Sequence, residues 1–320
     1  MWLVRELRQS VPHRPLLAPW YRLVGDGDRL LLEHGQVVVA LEGAAVTTLL
    51  PALLPLLDGT RTVDELAERV GVAARPAIDF ALETLDAHGL LTDGPVAPPD
   101  VLPAAHALAA AHSLSPTAAV ERLRSAAAGV VGNGASAAEI ARLLRIAGLG
   151  DVRRVSWRRG ADVDLTLVAP AEDELDAVPA WNELALRRSS TWLLVRPFDG
   201  RLAAVGPIIL PHETCCYECL LLRRAANVEY GGDLAEIEAA PVAATADAGL
   251  AALAVALGVH LALRWLVARD ATLGGVMYAV EPRPGPSVTA HPVLRVPRCP
   301  TCSRAGRFAP RLPWHEAQAA

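Results

Sequence analysis

Five cysteines fall in two tight groups, C-C-Y-E-C at 215–219 and C-P-T-C at 299–302. Cys216 and Cys219 share the C-x-x-C spacing of Cys299 and Cys302, and 79 residues lie between the pairs. Each pair supplies half of a tetrahedral site, and four thiolates are the common ligand set of structural Zn²⁺. A redox dithiol needs one exposed C-x-x-C at a helix start and leaves the second pair without a role. A disulfide reading requires an oxidising compartment. The opening M-W-L-V-R-E-L-R-Q-S has no basic-then-apolar export pattern, so a cytoplasmic protein is expected, with zinc at Cys216, Cys219, Cys299 and Cys302. Cys215 is surplus to that set and reads as a small buried apolar residue. His212, beside the first pair, reads as a loop residue. Pro297-Arg298-Cys299-Pro300 resembles a knuckle that turns backbone amides toward sulfur.

A second pattern, G-V-V-G-N-G-A-S-A, fits G-x-G-x-x-A through Gly132, Gly134 and Ala137. Between a strand and a helix, such a turn lets a phosphate approach backbone amides at the helix start. A nucleotide site of this type also needs an acid at the end of the next strand, for the ribose hydroxyls. Here that strand is expected over Arg153–Trp157 and runs into Arg158-Arg159-Gly160. All 30 basic residues are Arg, so no lysine is available to neutralise a triphosphate. The turn is therefore expected to be vestigial, with ATP or NAD not bound. Asp162 and Asp164 introduce the following strand, D-L-T-L-V-A.

The elements that position these residues fall in two domains, expected at 1–95 and 118–320 with a Pro- and Ala-rich linker at 96–117, part of it helical at Ala104–His112. The chain has 320 residues, of which 52% are hydrophobic and 20% charged, a globular composition. A net charge of −5 argues against a protein that lives on nucleic-acid phosphates. The apolar tract from Gly249 to Ala268 carries His260 and Arg264 and reads as a core helix, so no membrane is expected. In the first domain, Tyr21–Val24, Arg29–Glu33 and Val37–Leu41 are strands, with G-D-G at 25–27 turning the first connection. A helix from Ala44 to Leu57 must be kinked or shortened by Pro51 and Pro55. Thr62 caps the next helix with Glu65 as capping-box partner, and a third runs over Arg75–His88, ended by Gly89. Three strands followed by three helices make a winged-helix arrangement. The second domain opens with a capped helix at S-P-T-A-A-V-E-R-L-R-S-A. Strand Gly129–Val131, the glycine turn, a helix over 136–147 and a further strand then read as α/β.

G-N-G-A-S-A-A-E-I-A-R-L-L-R-I-A-G-L, both C-x-x-C pairs, and A-G-L-A-A-L-A-V-A-L-G-V-H-L-A-L-R-W-L between them resemble the ThiF/MoeB-like fold of ubiquitin-activating and related adenylating enzymes. The likeness covers about residues 118–305. That family follows its second strand with an acidic pair and an Asn-Leu-x-Arg-Gln-like ATP-contacting segment, which this chain omits. The stretches L-E-G-A-A-V-T-T-L-L-P-A-L-L-P-L-L-D-G-T-R-T-V-D-E-L-A and L-D-A-H-G-L-L are similar to the PqqD-like element that recognises leader peptides. Together the halves resemble the Ocin-ThiF-like F-proteins, partners of YcaO cyclodehydratases in thiazole/oxazole-modified peptide and thiopeptide pathways. The resemblance implies a non-catalytic protein that binds a precursor's leader peptide and delivers the precursor to a YcaO enzyme for azoline formation. An active adenylating enzyme acting on a peptide carboxylate is the alternative. It further implies a leader added as a strand beside Val37, Val38, Val39, Ala40 and Leu41, with Ile78, Leu82 and Leu85 walling a groove. Those three also fit as ordinary core residues. Arg75 and Arg69 would attract acidic leader residues, and a homodimer would be in keeping with ThiF-like relatives. A winged-helix DNA regulator fits poorly, because Asp79, Glu83 and Asp86 make the third helix acidic.

Overall fold

A computed structural model describes residues 11–98, 101–242, 244, 246–283 and 285–303. The amino-terminal decapeptide weighed above as an export signal lies outside the described residues. The chain divides into two compact units, residues 1–123 and 124–320. The fold is mixed α/β.

In the first unit, β1 (Pro15–Leu17) pairs antiparallel with β5 (Leu91–Asp93), a tie between distant segments that three-residue strands gave no pattern to announce. The strands β2 (Arg22–Asp26), β3 (Arg29–His34) and β4 (Val37–Glu42) form a three-stranded antiparallel meander in that order. Gly25 and Asp26 continue β2, so the turn is Gly27–Asp28 and not 25–27. The β3–β4 turn likewise needs a left-handed residue, which Gly35 supplies at φ +63°. Side chains alternate across the meander: Leu30 and Leu32 of β3 lie opposite Leu41 and Val39 of β4 and face the core.

The helical stretch breaks at its prolines into α1 (Ala44–Thr48), α2 (Leu50–Leu53) and a 3₁₀ turn, Leu54–Leu56. Helix α3 (Val63–Val70) opens on the full capping box. The Thr62 hydroxyl accepts from the Glu65 amide at 3.3 Å, and Glu65 accepts from the Thr62 amide at 2.7 Å. Helix α4 (Arg75–Ala87) buries Ile78, Leu82 and Leu85 against Leu32, Leu53 and Leu66. Helix α5 (Leu102–His112) follows within this unit, and α6 (Pro116–Ser125) leads to the second.

The second unit is built on a seven-stranded sheet of order β12-β11-β10-β9-β8-β6-β7. Strands β6 (Ala127–Val131), β7 (Asp151–Arg154), β8 (Leu165–Val168) and β9 (Trp192–Arg196) are mutually parallel, with α7 (Ala135–Ile146) and α8 (Val178–Arg188) between them. Every residue of β8 and β9 is buried, as a parallel strand covered on both faces requires. Strand β7 stops at Arg154, three residues before the expected end. The Val155 amide still reaches the Val130 carbonyl, and the chain then turns at Ser156–Arg159.

Three antiparallel strands extend the sheet: β10 (Ala203–Ile209), β11 (Val276–Glu281) and β12 (Ser287–Pro292). Helices α9 (Tyr217–Ala225), α10 (Leu234–Ala239) and α11 (Ala248–Leu263) fill the connection from β10 to β11. Counting the irregular turn that follows α11, residues Ala248–Ala268 are long and apolar enough to cross a membrane by length and composition. Here α11 packs on α7, β9 and β10, where Gly258 lets it approach Val195 closely. Helix α10 is held by an ion triple around buried Glu238, which meets buried Arg196 of β9 and half-buried Arg224 of α9, each at 2.7 Å.

Candidate metal centre and neighbouring sites

The two cysteine pairs converge. Cys216 is the N-cap of α9 and Cys219 lies one turn on, so helical geometry places both sulfurs at the helix head. Cys299 and Cys302 come from the turn after β12, where the Cys299 amide bonds to Val296 and the Ser303 amide to Cys299. All four are buried, and their Sγ atoms lie within 4.8 Å of one another. Three separations are 3.8 Å (Cys216–Cys219), 3.7 Å (Cys216–Cys299) and 3.5 Å (Cys219–Cys302). A disulfide needs about 2.05 Å. A tetrahedron with metal–sulfur bonds of about 2.3 Å has sulfur–sulfur edges of about 3.8 Å. The cluster matches the second figure, so these four residues could hold a metal ion.

The surroundings hold the two halves together. Arg295 donates to the Cys302 carbonyl at 2.6 Å and the His212 carbonyl at 2.8 Å, and Arg223 of α9 donates to the Leu294 carbonyl at 3.1 Å. The Tyr217 amide at the start of α9 donates to buried Asn182 of α8 at 3.0 Å. His212 sits in a loop, its ring near the Leu186 carbonyl. The Cys216 thiol donating to Cys219, with help from the Val296 amide at 3.4 Å, holds the Cys219 thiol down at about 4. Cys216 is pushed up by that same bond and by burial, and burial lifts Cys299 to about 11. The Cys216 thiol and the Val296 amide thus both point at the Cys219 sulfur near the head of α9, where the helix dipole supports negative charge. Cys215 is 1% exposed, and burial pushes its thiol up to about 12, the chemistry of an inert core residue and not of a nucleophile.

The glycine turn has the expected shape. Gly132 is left-handed at φ +122°, and a Cβ there would stand 1.9 Å from the Ala169 carbonyl oxygen, so only glycine fits. Gly134 is the N-cap of α7, and Ala137 is buried beneath the turn. Arg154 donates to the Gly132 carbonyl. Sequence reasoning missed Glu174, whose carboxylate reaches back into this turn from the loop after β8. It is one of three acids in A-E-D-E-L, and nothing local sets it apart.

In the first unit, Ile78, Leu82 and Leu85 are 0%, 0% and 1% exposed. They belong to the core and not to an open groove wall, because the α4 face that carries them packs on the meander and α2–α3. Arg75 is committed to two carboxylates, Asp79 at 2.8 Å and Asp64 at 2.6 Å, which raise its pKa, Asp64 first. Strand β4 pairs only with β3, which leaves its outer side a free sheet edge among the described residues. Val37 and Val38 are exposed at 55% and 58%, Ala40 is exposed, and Val39 and Leu41 are half-buried. A cavity of about 640 Å³ lies where the β9–β10 turn and β11 meet the head of α11. Its Arg201 lies 3.6 Å from Glu281, and Asp247 is spent on capping α11.

No protein-family model and no curated protein matches the chain. Among solved structures, a heterocyclase in complex with substrate and cofactor aligns at TM-score 0.71 and 24% identity, over 91% of this chain and 40% of that one. The heterocyclase TruD aligns at TM-score 0.71 and 23% identity, over 96% and 47% of the two chains. MccB of E. coli aligns at TM-score 0.62 and 13% identity, over 91% of this chain and 97% of that one. The chain therefore has a fold like that of MccB, and it spans less than half the length of the heterocyclase chains it matches.

Proposed function

We propose that the chain is a non-catalytic, peptide-binding partner of a YcaO cyclodehydratase. It takes the leader of a ribosomally made precursor as an added strand on β4 and presents the remainder for azoline formation. The free outer edge of β4 carries this reading. Across the two-residue β3–β4 turn, His34 and Val37 close the hairpin as a hydrogen-bonded pair, so Val37, Val39 and Leu41 direct their amides and carbonyls at β3. Val38, Ala40 and Glu42 direct theirs outward. An incoming extended peptide would gain affinity from those groups and register from the side chains between them. The likeness to heterocyclases over nine-tenths of this chain supports a place in the modification of precursor peptides. The ion at the four cysteines is zinc in this reading, with a structural role, the setting is cytoplasmic, and the assembly to look for by light scattering is a homodimer.

The test is direct binding of the leader peptide encoded beside the gene, followed by fluorescence anisotropy without ATP. A Kd in the micromolar range or below is expected. Ala40→Pro removes one outward donor and leaves the β3 pairing intact, as edge strands tolerate. Losing one main-chain bond of about 1 kcal/mol weakens binding about 5-fold or more. No binding to that leader, or unchanged binding by Ala40→Pro, would sink the proposal. MccB is also solved with ATP and aligns over 90% of this chain, which favours the adenylating alternative. Against it stand the absent acid beyond β7 and the carboxylate in the glycine turn. Precursor-dependent pyrophosphate exchange would establish it.

A further inference from the structure

The glycine turn is not empty of negative charge. Four donors converge on the Glu174 carboxylate. Its Oε2 accepts the amides of Asn133, at 2.9 Å, and Ala171, at 3.0 Å. Its Oε1 accepts the Trp157 indole N–H at 3.0 Å and the Asn133 side-chain amide. The donors come from three places: the turn before α7, the loop after β8 and the segment after β7. Asn133 sits between Gly132 and Gly134, so Glu174 binds the central backbone amide of the turn, at the head of a 12-residue helix. That is the amide and the helix end that a phosphate oxygen uses in a Rossmann-type turn. The Arg154 guanidinium donates to the Gly132 carbonyl, on the turn's backbone and not on the carboxylate.

We propose that Glu174 is a built-in anion that fills the glycine turn, so that the chain itself closes the cradle against nucleotide phosphates. The clasp joins β6, β7 and β8 at their carboxyl ends, the work that a bound phosphate would otherwise do. The inference concerns residues 131–174 only and stands independently of leader binding at β4. Either can fail alone.

Each carboxylate oxygen takes two donors, so glutamine is no substitute. Whichever way the amide is placed, its NH₂ faces two donors and two bonds are lost. The experiment compares wild type, Glu174→Gln and Glu174→Ala by thermal melting in rising inorganic phosphate, with chloride at matched ionic strength, and by calorimetric titration with Mg-ATP. Wild type should show no phosphate-specific rise in Tm and no heat with Mg-ATP. Both variants should melt several degrees lower. Glu174→Ala, which vacates the cradle, should recover Tm stepwise as phosphate is added. Mg-ATP binding by wild type would overturn the proposal, since the carboxylate would then be a ligand of a bound nucleotide and not its replacement. So would a Glu174→Gln protein as stable as wild type, or a folded Glu174→Ala protein that phosphate does not stabilise. Should Glu174→Ala fail to fold in every phosphate concentration, the Glu174→Gln melt and the wild-type titration still decide.

Discussion

Replacing Cys219 with serine is the sharpest perturbation of the metal centre. Three sulfur–sulfur separations, 3.5, 3.7 and 3.8 Å, already lie within a few tenths of an ångström of the tetrahedral edge. A metal ion would therefore enter with little rearrangement, and its binding energy would be retained as stability of residues 124–320. A free metal concentration about 1,000-fold above Kd stabilises by about 4 kcal/mol. For a unit of this size each kcal/mol shifts Tm by about 2–4 °C, so a strong chelator should lower Tm by about 8–16 °C. Cys219→Ser removes one of four thiolates and should weaken metal binding by at least about 100-fold, since even disturbing a group behind a ligand costs 10–100-fold. Elemental analysis of the protein purified under reducing conditions should give one zinc per chain, and Co²⁺ should produce thiolate charge-transfer absorption. Cys215→Ala should keep the full metal content. The reasoning fails if the reduced protein is metal-free and indifferent to chelator, or if Cys215→Ala loses the ion as readily as Cys219→Ser.

Two further outcomes follow from paired carboxylates. Glu238→Ala takes from Arg196, 8% exposed, its 2.7 Å carboxylate and leaves it Asp199 at 4.0 Å, and should destabilise by about 3 kcal/mol in denaturant melts. The Glu174 pKa lies below its ordinary 4.5, because hydrogen bonds from Ala171, Asn133 and Trp157 outweigh the opposing effect of burial, itself the largest single contribution. A carboxylate depressed in the folded state contributes stability that is fully present above 4.5 and is lost as pH falls through the lower folded value. Wild type should therefore lose stability below about pH 4.5 more steeply than Glu174→Gln, as read by denaturant midpoints across pH 3–6.

What the sequence made legible was set by short-range chemistry. Two C-x-x-C pairs at the same spacing single out four side chains that the fold places to hold a metal ion, because a tetrahedral site constrains neighbours along the chain as tightly as it does neighbours in space. Thr62 and Glu65 announce the start of α3 for a similar reason, since a capping box closes within three residues. Periodicity grouped Ile78, Leu82 and Leu85 on one face of α4. It could not tell whether that face lined a core or an open groove, because only the partners packed against it decide. Glu174 was invisible for the opposite reason: its bond to Asn133 spans 41 positions and has no local signature. The end of β7 was misplaced because Val155 keeps a ladder bond to Val130 after the strand proper has ended.

The four-cysteine cluster also has a bearing on the order in which the second unit can assemble. Between Cys219 and Cys299 the chain runs through α9, α10, α11, β11 and β12, so joining the two pairs closes a loop of about 80 residues. Closing such a loop from an open chain costs about 4.5 kcal/mol of entropy, far more than closing either C-x-x-C alone. The ion cannot recruit its second pair cheaply until β11 and β12 have zipped onto β10 and carried Cys299 and Cys302 to the head of α9. A loaded centre is therefore a late event, and it marks a sheet whose antiparallel half is already complete.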